Sequence, residues 1–279
     1  MADNRMSLLY EQASPLLVKR KITHREKSLM SKIKYKQLRK QVIDVCLTMN
    51  ALGINQGTSG NVSVRTDEGF LITASGVPYD RMKPQHVVEM DLDGGYRGDF
   101  LPSTEWRMHL DIFKNKPKAG AIVHVHSPYA TALSCLRKEI PPFHYMIGVA
   151  GGSTLRVADY AEFGTPELST VMLKAMEGRS ACLLANHGQI CFAPTLDKAL
   201  WLAGEIEAIS HHYWAASLMG KPVLLSDAEM SSVLRRFKSY GKQLDELAGL
   251  DPSELSVMMP ERRDGEAVPV AAKRKRKPA

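Results

Sequence analysis

No apolar run in this 279-residue sequence approaches the roughly 20 residues needed to cross a bilayer, so no membrane partner is expected. The N-terminus also lacks a signal-peptide core. Ser7-Leu8-Leu9-Tyr10 is too short, and charges follow soon after. Cysteine is scarce, and none of Cys46, Cys135, Cys182 and Cys191 forms a Cys-x-x-Cys pair. All four sit in apolar patterns, which predicts reduced, buried thiols in a cytoplasmic protein. No internal repeat is visible. What the chain does have is 44% hydrophobic residues, enough to bury a substantial core.

A basic body is missing too, although the net charge is +7. Residues 1–40 hold eight more basic than acidic side chains, and residues 261–279 hold four more, so the stretch between them is net acidic. A nucleic-acid surface needs its positive charge on the folded body, so no nucleic-acid partner is expected. The run Lys273-Arg274-Lys275-Arg276-Lys277 reads as a solvated tail. The expected organisation is a charged, flexible extension over 1–32, one domain over 33–250, and a disordered basic tail over 251–279. A helical piece is expected near Thr23–Met30.

Between the ends, strands and helices alternate. Leu38, Val42, Val45, Cys46, Met49 and Leu52 recur at helical spacing, and Gly53 closes that helix. Strands are expected at 62–65, 70–73, 87–90, 119–126, 181–185 and 189–192. Helices are expected at 103–114, after Ser127-Pro128, at 165–177, 195–219 and 226–247. Turns at Asp67-Glu68-Gly69 and Asp93-Gly94-Gly95 make hairpins. The fold class is therefore α/β: a single α/β/α sandwich around a largely antiparallel sheet.

The densest chemistry lies in Glu105, His124, His126 and His187. Side chains alternate along a strand, so His124 and His126 share one face and Val125 takes the other. His187 ends a second apolar run, and Glu105 opens the helix after Pro102-Ser103-Thr104. Three neutral imidazoles and a carboxylate suit zinc or a similar divalent ion, with a position left for substrate. A single buried histidine is more often structural, but four such residues together are not. His24, His86, His109, His211 and His212 fit exposed or helical positions and are left unassigned.

Three small, polar turns stand near this set in sequence: Gly57-Thr58-Ser59-Gly60-Asn61, Thr73-Ala74-Ser75-Gly76 and Ser103-Thr104. Their backbone N–H groups and hydroxyls can hold an anion such as phosphate. Each alone is more often just a turn; the metal set beside them gives the anion reading its weight.

With these residues in view, the chain resembles the class II aldolase/adducin family from about Tyr35 to Tyr240. Nine segments in order carry the likeness: 52–65, 71–76, 102–107, 123–126, 144–146, 160–165, 186–188, 198–201 and 237–241. The resemblance implies one zinc ion per subunit on Glu105, His124, His126 and His187, with Glu105 also the acid/base. It implies a phosphate pocket at Gly60, Asn61, Ser75, Gly76, Ser103 and Thr104, bordered by Thr58. It implies a homotetramer with sites between subunits. It further implies that Tyr145 reaches a neighbour's site as proton donor, that Tyr240, a tyrosine of a mobile C-terminal segment, is also catalytic, and that Phe163 and Phe237 touch the aldehyde part. Read without the resemblance, Tyr145, Tyr240 and Phe237 are equally packed aromatics. Ser103-Thr104 stands where the family carries two serines, which keeps the hydroxyl and adds a methyl.

The implied activity is cleavage of a small phosphorylated ketose to dihydroxyacetone phosphate and an aldehyde, with L-fuculose 1-phosphate and L-lactaldehyde first. Cleavage of 5-deoxyribulose 1-phosphate or its methylthio analogue is a rival by the same chemistry. A pentulose-phosphate 4-epimerase would carry aspartate where Glu105 stands. A dehydratase acting on methylthioribulose 1-phosphate shares the fold. An adducin-like binding head need not keep the metal ligands, and this chain keeps all four.

Overall fold

The computed structural model describes residues 33–242. The N-terminal extension with its helical piece at 23–30, the basic tail, and the end of the expected 226–247 helix lie outside the described residues. Those residues hold strands β1 (Asn61–Thr66), β2 (Gly69–Thr73), β3 (Val87–Met90), β4 (Tyr96–Arg97), β5 (Ala121–Val125), β6 (Val157–Ala158), β7 (Ala181–Leu184) and β8 (Gly188–Ala193). The helices are α1 (Lys36–Ala51), α2 (Trp106–Asn115), α3 (Pro128–Ser134), α4 (Pro166–Ala175), α5 (Leu196–Met219) and α6 (Asp227–Phe237).

One eight-stranded sheet runs in the order β4-β3-β2-β1-β5-β8-β7-β6. Every pair is antiparallel except β6 with β7, which is parallel. Both faces are covered, as the apolar runs of the strands require. Val62, Val64, Val123, Val125 and Leu183 pack toward α1, α3 and α5. Phe70, Ile72, Ile122, Cys182, Leu184 and Ile190 pack toward α2 and α4. The α/β/α sandwich expected from the sequence is the fold observed.

Local chemistry explains the helix starts. Thr165, Thr195 and Ser226 each accept a backbone N–H three residues on, and Ser226 with Glu229 forms a full capping box. Such a cap contributes about 1 kcal/mol. α3 begins differently. Both carboxylate oxygens of Glu207 on α5 accept from the Tyr129 and Ala130 N–H groups, at 2.8 and 2.9 Å. The buried carboxylate fixes where the chain turns just after His126.

Two expectations are corrected. α6 stops at Phe237, and the chain turns at 239–241 instead of continuing helical. Cys135 is exposed, because it caps the solvent end of α3; the other three thiols are buried. His109 is helical, as expected, and fully buried, since it lies on the α2 face that meets the sheet. Among the described residues, no helix is long and apolar enough to cross a membrane.

Candidate active site

β5 and the β7–β8 turn deliver the three histidines, and the start of α2 delivers the carboxylate. One ligand atom from each of Glu105, His124, His126 and His187 lies within 4.8 Å of all the others. His124 Nε2 is 3.1 Å from Glu105 Oε2 and 3.1 Å from His126 Nε2. His187 Nε2 is 3.1 Å from Glu105 Oε1.

Each residue is held for this purpose. Glu105 occupies the N-cap position of α2, yet its side chain makes no bond to its own helix. Its N–H donates to Ser103 Oγ at 3.3 Å, which leaves the carboxylate for the cluster. Asn186, just before His187, takes the left-handed conformation at φ 54° and accepts from Arg137 Nε at 2.6 Å. Gly188, just after it, has no room for a side chain. A Cβ there would lie 2.6 Å from the Val125 carbonyl oxygen and 3.0 Å from the His126 ring.

The donor chemistry fits a cation. His124 Nδ1 lies 2.8 Å from the Gln189 carbonyl oxygen. A carbonyl only accepts, so Nδ1 carries a proton and Nε2 is the nitrogen that faces the cluster. Burial and the neighbouring His124 and His187 push His126 down to about 4. Burial opposes ionisation of Glu105, but the His124 and His187 imidazoles hold its carboxyl well below the usual range. Burial likewise opposes a charge on His124, but the Glu105 carboxylate beside it raises its affinity for a proton. A divalent ion among three nitrogens and an oxygen would replace that proton as the counter-charge of the carboxylate.

A buried polar chain backs Glu105. Asn61 Nδ2 donates to Glu105 Oε2 at 2.9 Å, and Asn61 Oδ1 meets His109 Nε2 at 2.5 Å. His109 Nδ1 meets Ser63 Oγ at 2.6 Å. Sequence reasoning missed His109 and Ser63. The available signal was spacing: His109 lies four residues after Glu105 on one helix face, and Ser63 lies two after Asn61 on one strand face.

Comparison with known proteins places this geometry. Residues 40–214 match the Class II Aldolase and Adducin N-terminal domain. The chain belongs to the class II aldolase/adducin family. It is 47% identical over 204 residues to a 5-methylthioribulose-1-phosphate/5-deoxyribulose-1-phosphate aldolase of Rhodospirillum rubrum, covering 73% of this chain and 92% of that protein. It is 46% identical over 211 residues to the L-fuculose phosphate aldolase of Escherichia coli K12, covering 75% and 98%. A solved L-fuculose 1-phosphate aldolase structure superposes with a TM-score of 0.71 at 39% identity, covering 74% of this chain and 98% of that one. Class II aldolases are metal-dependent, and the Glu105–histidine cluster is a potential metal site in this member.

In this class II aldolase fold the three small turns meet. Ser103 N donates to Thr73 O at 2.9 Å, and Ser75 N donates to Leu101 O at 3.1 Å. Val62 N donates to Thr73 Oγ1 at 3.3 Å, which ties in the first turn. Thr58, Ser75, Gly76 and Thr104 are exposed, and Gly60, Asn61 and Ser103 are buried. Gly60 serves close packing, since a Cβ there would meet the His124 carbonyl oxygen at 2.5 Å. The Asn61 amide is engaged by Glu105 and His109 at both ends.

The aromatic candidates sit elsewhere. Tyr145 and Tyr240 are each 49% exposed and Phe163 is 64% exposed. Phe163 lies near the start of α2, because the next residue, Gly164, sits where a Cβ would lie 3.1 Å from the Thr104 carbonyl oxygen. Phe237 packs over Gly148, and its ring centroid is 5.1 Å from that of Tyr240. Tyr145 sits at the start of the same 3-10 turn, Tyr145–Ala150. Among the described residues, no hydrogen bond or ring contact joins Tyr145, Tyr240 or Phe237 to the metal cluster.

Proposed function

We propose that this class II aldolase is zinc-dependent and cleaves a ketose 1-phosphate reversibly to dihydroxyacetone phosphate and an aldehyde. L-Fuculose 1-phosphate, giving L-lactaldehyde, is the first assignment. The observation that carries this reading is the buried Glu105–His124–His126–His187 cluster beside a cradle of small polar turns. The bound ion supplies a Lewis acid for the substrate carbonyl and adjacent hydroxyl.

Glu105 takes a proton from the carbon next to the carbonyl in synthesis and returns it in cleavage. The N–H groups and hydroxyls of Thr58, Gly60, Ser75, Gly76, Ser103 and Thr104, with the Asn61 backbone, hold the phosphate. Tyr145 of a neighbouring subunit donates to the aldehyde oxygen, in a homotetramer with one ion per site. Its exposure and its separation from its own chain's cluster support that role. Tyr240, Phe163 and Phe237 border the aldehyde. The catalytic domain spans 33–250, with dispensable ends. Unpaired thiols, three of the four buried, fit a cytoplasmic location.

A second reading has a specific observation behind it. The 5-methylthioribulose-1-phosphate/5-deoxyribulose-1-phosphate aldolase of R. rubrum is as similar to this chain as the E. coli fuculose enzyme. The two substrates differ at the aldehyde end. The test is release of dihydroxyacetone phosphate from a panel of ketose 1-phosphates by zinc-loaded protein. The first reading expects the highest kcat/KM on L-fuculose 1-phosphate. A higher value on 5-deoxyribulose or 5-methylthioribulose 1-phosphate selects the second, and release from none overturns both.

A further inference from the structure

We propose that His109 is a positioning residue that aims Glu105 by fixing the orientation of the Asn61 amide. The proposal rests on Glu105 being the acid/base of the reaction above. The chain of bonds has one direction. A carboxylate only accepts, so Asn61 turns Nδ2 toward Glu105 Oε2, at 2.9 Å. Asn61 Oδ1 then faces His109 Nε2 at 2.5 Å and requires a donor, so His109 carries its proton on Nε2. Its Nδ1 is left to accept the Ser63 hydroxyl, at 2.6 Å. Reversing the amide would set Oδ1 against the carboxylate.

The geometry that builds this chain is a match of two periods. Asn61, Ser63 and Arg65 project from one face of β1. Glu105, His109 and Phe113 follow one another at four-residue steps along the start and face of α2. Two residues of strand advance about 6.8 Å and four of helix about 6 Å, so the two series stay in step. The third pair is Arg65, which donates to the Phe113 carbonyl at 2.7 Å and lies over its ring.

Packing alone does not call for such a seam. The opposite face of β1 contacts the core through Val62 and Val64 alone. Replacing a hydrogen-bonded pair by apolar groups of similar shape is often close to neutral. A polar chain that ends on the carboxylate is explained by what it does for the carboxylate. Burial, with His124 nearby, also pushes His109 down to about 3, which keeps the ring neutral.

The test compares His109→Leu with His109→Gln, whose amide can offer Asn61 an N–H. His109→Leu is expected to lower kcat about 10- to 100-fold with little change in KM or zinc content. His109→Gln is expected to recover most of the loss. In an Asn61→Ala background, His109→Leu is expected to cost nothing further. Independent, multiplying losses from Asn61→Ala and His109→Leu would overturn the proposal, as would a folded Gln variant as impaired as Leu. Should the Leu variant fail to fold, ring-nitrogen NMR of the zinc-loaded parent decides. His109 as the neutral Nε2–H tautomer supports the proposal, and an Nδ1–H tautomer overturns it. That reading needs no turnover. Absence of dihydroxyacetone phosphate from every substrate would therefore sink the function without deciding the tautomer.

Discussion

The metal cluster and the aromatic surface around Tyr145 are built on opposite plans. Glu105 and His124 are buried, His126 and His187 are partly buried, and bonds anchor Glu105 at a helix start, His124 on a strand and the turn that carries His187. Tyr145, Tyr240 and Phe163 stand open on the surface. A metal site needs its donors fixed within a few ångströms, so one chain must hold them all. A group that meets only the far end of a substrate can wait on the surface for another subunit to arrive. On the reading proposed here, binding chemistry is preorganised in one chain and proton donation to the aldehyde is completed by assembly.

The sharpest way to break that division is at Glu105. Glu105→Gln is expected to cut cleavage about 100- to 10,000-fold, because the amide cannot shuttle a proton near neutral pH. The fold and much of the metal content should remain. His124→Ala should instead strip the metal, since it deletes a ligand. Metal analysis and turnover on both variants separate the two roles. Parental turnover by Glu105→Gln would leave only a metal-binding scaffold.

The assembly half of the comparison is tested by mixing. Tyr145→Phe alone should slow turnover about 10- to 100-fold, below the loss at Glu105. Mixing unfolded Tyr145→Phe and Glu105→Gln chains and refolding them together should rebuild about a quarter of the sites with both groups intact. Recovered activity near that level places Tyr145 across a subunit boundary. No recovery, with mixed tetramers present, would place it in its own chain's site.

The smallest effect is expected from the charged ends. A chain trimmed to residues 30–260 should keep its metal and turn over within about twofold of the parent, as substitutions away from cores and sites usually do. Loss of metal on removing residues 1–29 alone would make that extension part of the site's support.

Much of this was legible because strand and helix periods constrain side-chain direction. His124 and His126 fall on one face of β5, with Val125 packed into the opposite core. The antiparallel hairpins at Gly69 and Gly94 were marked by their turns. Other features required contacts that one segment does not reveal. His109 reads as one polar residue in an apolar helix until β1 is laid beside it. Asn61 reads as a donor for phosphate, because sequence shows its amide but not the carboxylate and imidazole at either end of it. α6 was overextended because apolar spacing continues beyond Phe237, while the backbone turns at Gly241 with φ 68°.

The sheet's margins carry a consequence for how this protein behaves when crowded. Its two edge strands, β4 and β6, are two residues each, while the inner strands run four to six. An edge so short offers a foreign strand almost no ladder to copy. The longer strands β1, β2, β5 and β8 lie between paired neighbours and under helices. Strand addition among the described residues would have to begin on a two-residue edge at either margin, so the order in which the strands are laid keeps the longest of them, β1 and β8, away from it.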